Sequence, residues 1–160
     1  MKIGIISDTH GHVNFATQGV RALREQDVEQ VIHCGDIGST TIIELFDGLS
    51  THFVFGNVDW DQDGLKDEIA ACGQTCHDEM GTASWAGREI AFLHSHDRNR
   101  YLETIQSQKY DLVCYGHTHK AEKHRDGKTL VLNPGALYRT SVRSVAVVDL
   151  ETMEAEHIEV

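Results

Sequence analysis

The feature that most constrains this chain is its first ten residues, MKIGIISDTH. An isoleucine-rich apolar run of this length is typical of a buried strand. The run stops at Asp8 and His10, a carboxylate and an imidazole two positions apart. Both side chains are common metal ligands. The sequence therefore predicts a buried strand whose carboxyl end presents two ligand-type side chains together.

The same arrangement recurs four times later in the chain, where an apolar run is followed directly by Asp, Asn or His. Open sheets bind ligands beyond the carboxyl ends of their strands. If these runs are neighbouring strands, we expect their polar side chains to converge on one place. The segments are His33-Cys34-Gly35-Asp36, Gly56-Asn57-Val58-Asp59, His94-Ser95-His96 and Gly116-His117-Thr118-His119.

The order of the predicted elements favours an α/β fold. Strands and helices alternate up to residue 55, which favours a parallel sheet with right-handed crossovers. After residue 111 the pattern predicts mainly strands, including a hairpin at Asp126-Gly127. Asn14 is a plausible cap of the first helix. The predicted helices are 13–25, 39–46, 65–71 and 98–108, and the later strands are 75–93 with a turn at 86–88, 120–124, 129–132, 142–150 and 155–160.

Length and charge restrict the classes of function. The 160 residues suit one domain, 1–160, with a core of its own. The formal net charge of −11 argues against a nucleic-acid backbone as the partner. The four cysteines are too few for a disulfide framework. We expect no signal peptide and no membrane span, and therefore a protein of the reducing cytoplasm.

The polar residues after the strand ends form a candidate metal-binding set that suits two ions. An ion takes roughly four to six ligands, so this set over-fills one site but serves two if a carboxylate bridges them. Asp36 is the natural bridge. Imidazole and oxygen ligands without thiolate favour manganese, with iron, zinc or nickel as alternatives. We assign one ion to Asp8, His10, Asp36 and His119 and the other to Asp36, Asn57, His94 and His117, although the spacing leaves open which ion His117 and His119 each serve.

As an ordered set, these motifs resemble those of the calcineurin-like metallophosphoesterases, in particular the small single-domain phosphodiesterases of bacteria and archaea. The resemblance extends over residues 8 to 135, most of the chain. The matching segments are Asp8-x-His10, Gly35-Asp36, Gly56-Asn57-x-Asp59, His94-x-His96, Gly116-His117-x-His119 and Asn133-Pro134-Gly135.

The resemblance implies a fold, a reaction and a substrate class. The fold would be an α/β/β/α sandwich of four layers, with two mixed sheets flanked by helices. The reaction would be hydrolysis of a small phosphoester, most directly a phosphodiester. Two ions about 3.5–4 Å apart can share a hydroxide as the nucleophile and stabilise the charge of an in-line displacement.

One position departs from the family pattern. Many relatives have a histidine after the asparagine that protonates the leaving group, whereas this chain has Val58. His96 and Asp59 are the nearby substitutes for the catalytic acid. Arg139, after the proline turn, is a candidate to bind a phosphate oxygen, although a surface role fits it equally well.

Three alternatives stay open at this point. Val58 favours a binding or scaffold module that keeps the fold and has lost catalysis, whereas the complete ligand set disfavours it. A phosphomonoesterase is not distinguished from a phosphodiesterase by these motifs. The last predicted strand, 155–160, could pair with a second copy as an exposed edge.

His33 and His52 are interpreted as core or strand-edge histidines because they lie in or beside apolar runs.

We predict that this protein cleaves phosphodiesters with poor leaving groups slowly, because Val58 has no proton to donate. The loss of a general acid typically lowers the rate by about 10² to 10⁴, which an activated aryl ester largely hides. Rates for an aryl and an alkyl phosphodiester should therefore differ widely. Equal rates would show that the residue at position 58 is irrelevant.

Overall fold

The isoleucine-rich run at the amino terminus forms strand β1 in the interior of a six-stranded sheet in the computed structural model, which describes residues 1–160. The elements in chain order are β1 (Lys2–Ile6), α1 (Val13–Arg24), β2 (Gln30–His33), α2 (Thr40–Glu44), β3 (Thr51–Phe53), α3 (Gln62–Ala71), β4 (Thr75–Cys76), β5 (Met80–Trp85), β6 (Arg88–His94), α4 (Arg98–Gln106), β7 (Leu112–Gly116), β8 (Ala121–Asp126), β9 (Thr129–Pro134), β10 (Ser144–Asp149) and β11 (Glu154–Glu159).

Two mixed sheets hold all of the strands. The first has the order β11-β10-β1-β2-β3-β4 and the second the order β5-β6-β7-β9-β8. Strands β1 to β4 are parallel to one another, as are β6, β7 and β9. The predicted hairpin is the antiparallel pair β8 and β9. Each sheet therefore has a run of parallel strands whose carboxyl ends share one edge.

Alternation along the strands builds a four-layer sandwich. Ile3 and Ile5 of β1 pack with Phe92 of β6 in the core between the sheets. The opposite side of the first sheet packs against α1, α2 and α3, and the opposite side of the second sheet packs against α4. Gly4 lets α1 approach, since a Cβ there would lie 2.9 Å from Leu23 Cδ2. The predicted α/β/β/α arrangement is confirmed.

Helix ends account for the main differences from the sequence prediction. Helix α3 begins at Gln62, three residues before the predicted turn, because the Asp61 side chain accepts a hydrogen bond from the Gly64 N–H and caps it. The predicted cap of α1 was wrong: the helix begins at Val13, so Asn14 lies inside its first turn. Helix α2 ends at Glu44 rather than continuing to residue 46.

The edges of the sheets are β11, β4, β5 and β8. The predicted C-terminal strand is therefore an edge strand, β11, and its pairing with a second copy stays a prediction. Strand β8 is exposed along its whole length. None of the helices has the length and apolar character that a membrane span requires.

His33, at the end of β2, is a fully buried core histidine, as predicted. Its Nδ1 accepts a hydrogen bond from the Gly35 N–H at 3.3 Å, so its Nε2 carries the proton and contacts Thr9 Oγ1 at 3.0 Å. Its ring stacks on Phe53 with the ring centroids 5.5 Å apart. His52 is half-buried and contacts Gln30 and His77. Each ring nitrogen of both histidines therefore has a hydrogen-bond partner while the ring is neutral.

We expect the fold to become less stable as the pH falls, because His33 is neutral in the folded protein and takes up a proton when the chain unfolds. Burial lowers the pKa of His33 from 6.5 to about 3, so the unfolded chain binds a proton that the folded protein excludes. The stability is therefore fully present above pH 6.5 and falls as the pH drops toward 3. Between about pH 7.5 and about pH 5, wild type should lose about 2 kcal/mol more than His33→Gln. Urea unfolding measures this difference, and parallel losses in both proteins would contradict it.

Candidate metal centre

The predicted ligands lie in loops at the carboxyl ends of parallel strands from both sheets. The two sheets face each other, so the loops of one approach the loops of the other across the end of the shared core. The first sheet supplies Asp8 and His10 after β1, Asp36 after β2 and Asn57 after β3, and the second supplies His94 at the end of β6 and His117 and His119 after β7.

Four of these residues form a compact cluster. One ligand atom from each of Asp8, His10, Asp36 and His119 lies within 4.8 Å of all the others. His119 Nε2 is 3.1 Å from Asp8 Oδ1, and His10 Nε2 is 3.6 Å from Asp36 Oδ2. The His10 and His119 Nε2 atoms are 3.3 Å apart. Two carboxylates and two imidazoles thus direct their ligand atoms at one point, and the histidine of β7 that joins them is His119.

Asp36 also faces a second group of side chains through its other oxygen. Its Oδ1 lies 3.4 Å from His94 Nε2. The rings of His94 and His117 are neighbours, with centroids 5.1 Å apart. The two oxygens of Asp36 therefore point toward different histidines, Oδ2 toward His10 and Oδ1 toward His94, which is the geometry of a bridging carboxylate.

Asn57 lies at an exposed position in the loop after β3. The residues on either side of it contact Asp36: a Cβ on Gly56 would lie 2.0 Å from Asp36 Oδ1, and the Val58 N–H donates to that same oxygen at 3.2 Å. A glycine at position 56 is required for this approach. The loop after β3 therefore passes Asp36 on the side of Oδ1, the oxygen that faces His94.

Backbone carbonyls orient two of the histidines. His94 Nδ1 contacts the carbonyl of Cys34 at 2.8 Å, and His119 Nδ1 contacts the carbonyl of Arg139 at 3.3 Å. A carbonyl only accepts, so each Nδ1 carries a proton and donates. When the ring is neutral, its Nε2 is then left with a free lone pair, as in the histidines that bind metals in proteins.

Two buried polar atoms in the centre, Asp8 Oδ1 and His94 Nε2, have no partner in hydrogen-bonding orientation, although His119 Nε2 and Asp36 Oδ1 respectively lie 3.1 and 3.4 Å from them. Asp8 Oδ2 is satisfied by the Ser7 hydroxyl at 2.6 Å and the His117 N–H at 3.1 Å, so Oδ1 is held in place without a donor of its own. An unpaired buried polar atom is costly. These atoms are placed as metal ligands are, so the residues fit a divalent cation.

The backbone of the centre is strained in a consistent way. Asp8, His10, Asp36, His117 and His119 all have positive φ, at 56°, 48°, 55°, 87° and 57°. Non-glycine residues adopt this region at a cost, and such residues concentrate at functional sites. The strain turns each side chain back toward the centre after its strand ends. Packing of the two sheets below must compensate for it.

The carboxylates and imidazoles lie close enough to one another to shift each other's pKa, in contacts that a cation could replace. Burial acts to raise the pKa of Asp36, but contact with His94 outweighs it and the pKa is lowered. Burial acts to lower the pKa of His94, but Asp36 and Asp8 raise it above its ordinary value. The pKa of His119 is raised, chiefly by Asp8. Metal binding at such a centre releases protons and is therefore pH-dependent.

The two predicted acid candidates have different surroundings. Asp59 is 4% exposed and the carboxylate accepts backbone N–H groups from Gly38 at 2.9 Å and Gly56 at 2.8 Å. Burial raises the pKa of Asp59. His96 is exposed and its ring centroid lies 5.5 Å from that of His94. Asp59 therefore holds two loops together, whereas the His96 ring is open to solvent and stays the predicted proton donor.

Arg139 lies at the rim of the first cluster. Its guanidinium lies over the ring of Tyr138 at 5.7 Å, and that ring lies 5.9 Å from the ring of His10. Burial lowers the pKa of His10, and the positive charge of Arg139 adds a smaller contribution in the same direction. The side chain is exposed, so it is free to contact a substrate oxygen.

The groups that orient the ligands were not predicted from the sequence. The carbonyls of Cys34 and Arg139 carry no sequence signal, because any residue supplies a carbonyl. Ser7 could have been noticed as a donor next to Asp8. A cavity of about 740 Å³ lies at the opposite edge, beside Lys2 at the start of β1 and Leu130 near the start of β9, and is not part of this centre.

Comparison with known proteins identifies the family. The model of the calcineurin-like phosphoesterase superfamily domain matches residues 1–153. Phosphodiesterase MJ0936 of Methanocaldococcus jannaschii is 31% identical over 163 residues, covering 99% of this chain and 98% of the relative. A solved structure described as a novel archaeal phosphodiesterase is 30% identical, with a TM-score of 0.93 and complete coverage of both chains.

A more distant structure shares the fold alone. Vps29 of Entamoeba histolytica, solved in complex with zinc, is 18% identical with a TM-score of 0.65, covering 99% of each chain. The motif resemblance noted in the sequence is confirmed by these matches, since the family model covers nearly the whole chain. With its ordered ligand loops and its two-sheet sandwich, this chain belongs to the calcineurin-like phosphoesterase superfamily.

Proposed function

We propose that this protein is a metal-dependent phosphodiesterase that hydrolyses small phosphodiesters. The observation that carries the proposal is the position of Asp36 between two sets of ligands. Its Oδ2 lies 3.6 Å from His10 Nε2 in one set, and its Oδ1 lies 3.4 Å from His94 Nε2 in the other. The 31% sequence identity to a phosphodiesterase, over nearly the whole chain, supports the diester preference. Manganese is our preferred metal because the ligands are imidazoles, carboxylates and one amide.

Two ions would be held by the sets assigned from the sequence. The first would take Asp8, His10, Asp36 and His119, and the compact cluster supports this set. The second would take Asp36, Asn57, His94 and His117, supported by the contact between His94 and Asp36. When bound, such a pair supplies Lewis acidity and a nucleophilic water of lowered pKa.

The remaining groups of the chain would bind and protonate the substrate. Arg139 would contact a phosphate oxygen from the rim. His96 would donate a proton to the departing oxygen, in place of the histidine that Val58 replaces. Asp59 would keep the loops of Gly38 and Gly56 in register through its two hydrogen bonds. The net charge of −11 opposes polyanionic substrates, so a small ester fits better than a nucleic acid.

The second candidate is a binding or scaffold module, and Val58 is the observation that favours it. The unpaired Asp8 Oδ1 and His94 Nε2 argue that the metal ligands at least are intact. Measured turnover distinguishes the two. A phosphomonoesterase is distinguished by comparing p-nitrophenyl phosphate with its bis(p-nitrophenyl) diester.

We expect divalent metal to stabilise the fold, because it binds only the folded protein. Mn²⁺ at 100 times its dissociation constant should raise the free energy of unfolding by about 2.7 kcal/mol for each site. Excess EDTA should reverse the gain. Asp36→Asn should lose most of the stabilisation, while His124→Ala on the exposed strand β8 should keep it. Thermal unfolding and titration calorimetry measure these effects, and equal gains in wild type and Asp36→Asn would refute a bridging role.

We expect wild type to hydrolyse bis(p-nitrophenyl) phosphate with added Mn²⁺. Asp36→Asn should lower kcat/KM by more than about 100-fold, since even the partners of metal ligands contribute about 10- to 100-fold. Release of p-nitrophenolate gives the rate, and His124→Ala serves as the matched control. Absence of turnover in a protein that binds two ions would favour the scaffold.

A further inference from the structure

A second cavity opens beside the metal centre. It has a volume of about 400 Å³, within the range of small-molecule sites, and its walls include Gly38, Val58 and Trp60. The Val58 N–H donates to Asp36 Oδ1 at 3.2 Å, and a Cβ on Gly38 would lie 2.8 Å from the Cα of His10. Two residues of the cavity wall therefore contact proposed ligand residues, which places the cavity next to the centre.

Trp60 gives this cavity an unusual wall. Its side chain is 87% exposed, far more than Val142 at 50% and Val13 at 40%, the other exposed large apolar residues. Leu65 of α3 and Val58 line the same cavity. An indole left open to solvent costs hydrophobic free energy unless a ligand covers it. Its face is a stacking surface for a planar ring.

The charges of the cavity restrict what stacks there. Its ionisable wall residues are Asp59 and Asp61, and it has no lysine, arginine or histidine. Asp59 accepts two backbone N–H groups, and Asp61 accepts the Gly64 N–H at 3.1 Å. Both carboxylates are therefore held in place. A second phosphate or a carboxylate on the substrate would meet negative charge here without a cation to pair with.

We propose that this cavity is the subsite for one ester group of the substrate, and that it takes a planar, uncharged aromatic group stacked on Trp60. The inference rests on the proposed phosphodiesterase function and names its substrate class: phosphate esters of a single charged phosphate with a neutral aromatic substituent. Trp60 is then a specificity-determining residue that acts on binding rather than on bond cleavage.

Inhibition by two simple monoesters tests this role. Phenyl phosphate and ethyl phosphate carry the same charge and differ in the ring. Each competes with bis(p-nitrophenyl) phosphate on the Mn²⁺-loaded protein, and wild type should bind phenyl phosphate more tightly. Trp60→Ala should raise the inhibition constant of phenyl phosphate roughly 5- to 100-fold, as removal of an aromatic stacking partner typically does. The inhibition constant of ethyl phosphate, which has no ring to stack on Trp60, should change by less than about twofold.

Conservative variants separate stacking from a structural role. Trp60→Phe should restore most of the preference for phenyl phosphate, and Trp60→Ala should raise KM for the diaryl substrate with little change in kcat. Asp61→Asn keeps a capping side chain for α3 and removes the charge. It should selectively improve binding of 4-carboxyphenyl phosphate, which wild type should bind more weakly than phenyl phosphate.

The outcomes are distinct. An equal preference for phenyl phosphate in wild type and Trp60→Ala, with turnover intact, would overturn the subsite and leave the phosphodiesterase function standing. A fall in kcat alone, or equal weakening of both monoesters, would also overturn it, since it would indicate a general effect on the loops. No turnover in wild type would overturn the proposed function and the subsite together.

Discussion

The site depends on the position of one carboxylate. Asp36 is turned back by a positive φ of 55°, is 3% exposed, and reaches two sets of ligands with its two oxygens. The same loop also orients a histidine of the second sheet, because the carbonyl of Cys34 lies 2.8 Å from His94 Nδ1. A displacement of this loop would therefore alter both proposed metal positions at once, which explains why it packs so closely against Gly56.

The packing between the sheets holds the two halves of the centre at a fixed separation. Ile5 and Phe92, both fully buried, belong to the core between the sheets, and His94 continues the strand of Phe92. Close-packed interiors transmit displacements instead of absorbing them. The strained loops at Asp8 and His119 can therefore be kept in place by the sandwich below them, while each loop alone would relax to a more favourable φ.

In the proposed function, substrate selection and catalysis would be carried by different parts of the same edge. The ligand loops provide a centre for a phosphate, and the neighbouring cavity with Val58 and Trp60 provides an apolar wall flanked by carboxylates. An aromatic ester suits both features, since a phenolic leaving group needs less help from a general acid than an alkoxide does. Val58 in place of the family's histidine and the exposed indole of Trp60 would then both favour aromatic esters.

The sequence by itself determined the chemistry at each strand end, because a short apolar run that stops at Asp, Asn or His is a local pattern. The alternation of strands and helices also predicted a parallel sheet with helices on its faces, whereas the four layers were predicted from the resemblance of the motifs to a known family. Only the tertiary structure decided that His119 and not His117 joins Asp8 and His10. It alone revealed the carbonyls that orient the rings, the hydrogen bonds that occupy Asp59, and the cavity at Trp60. Those features are distances between segments far apart in the chain, and many involve backbone atoms that every residue shares, so no local pattern encodes them.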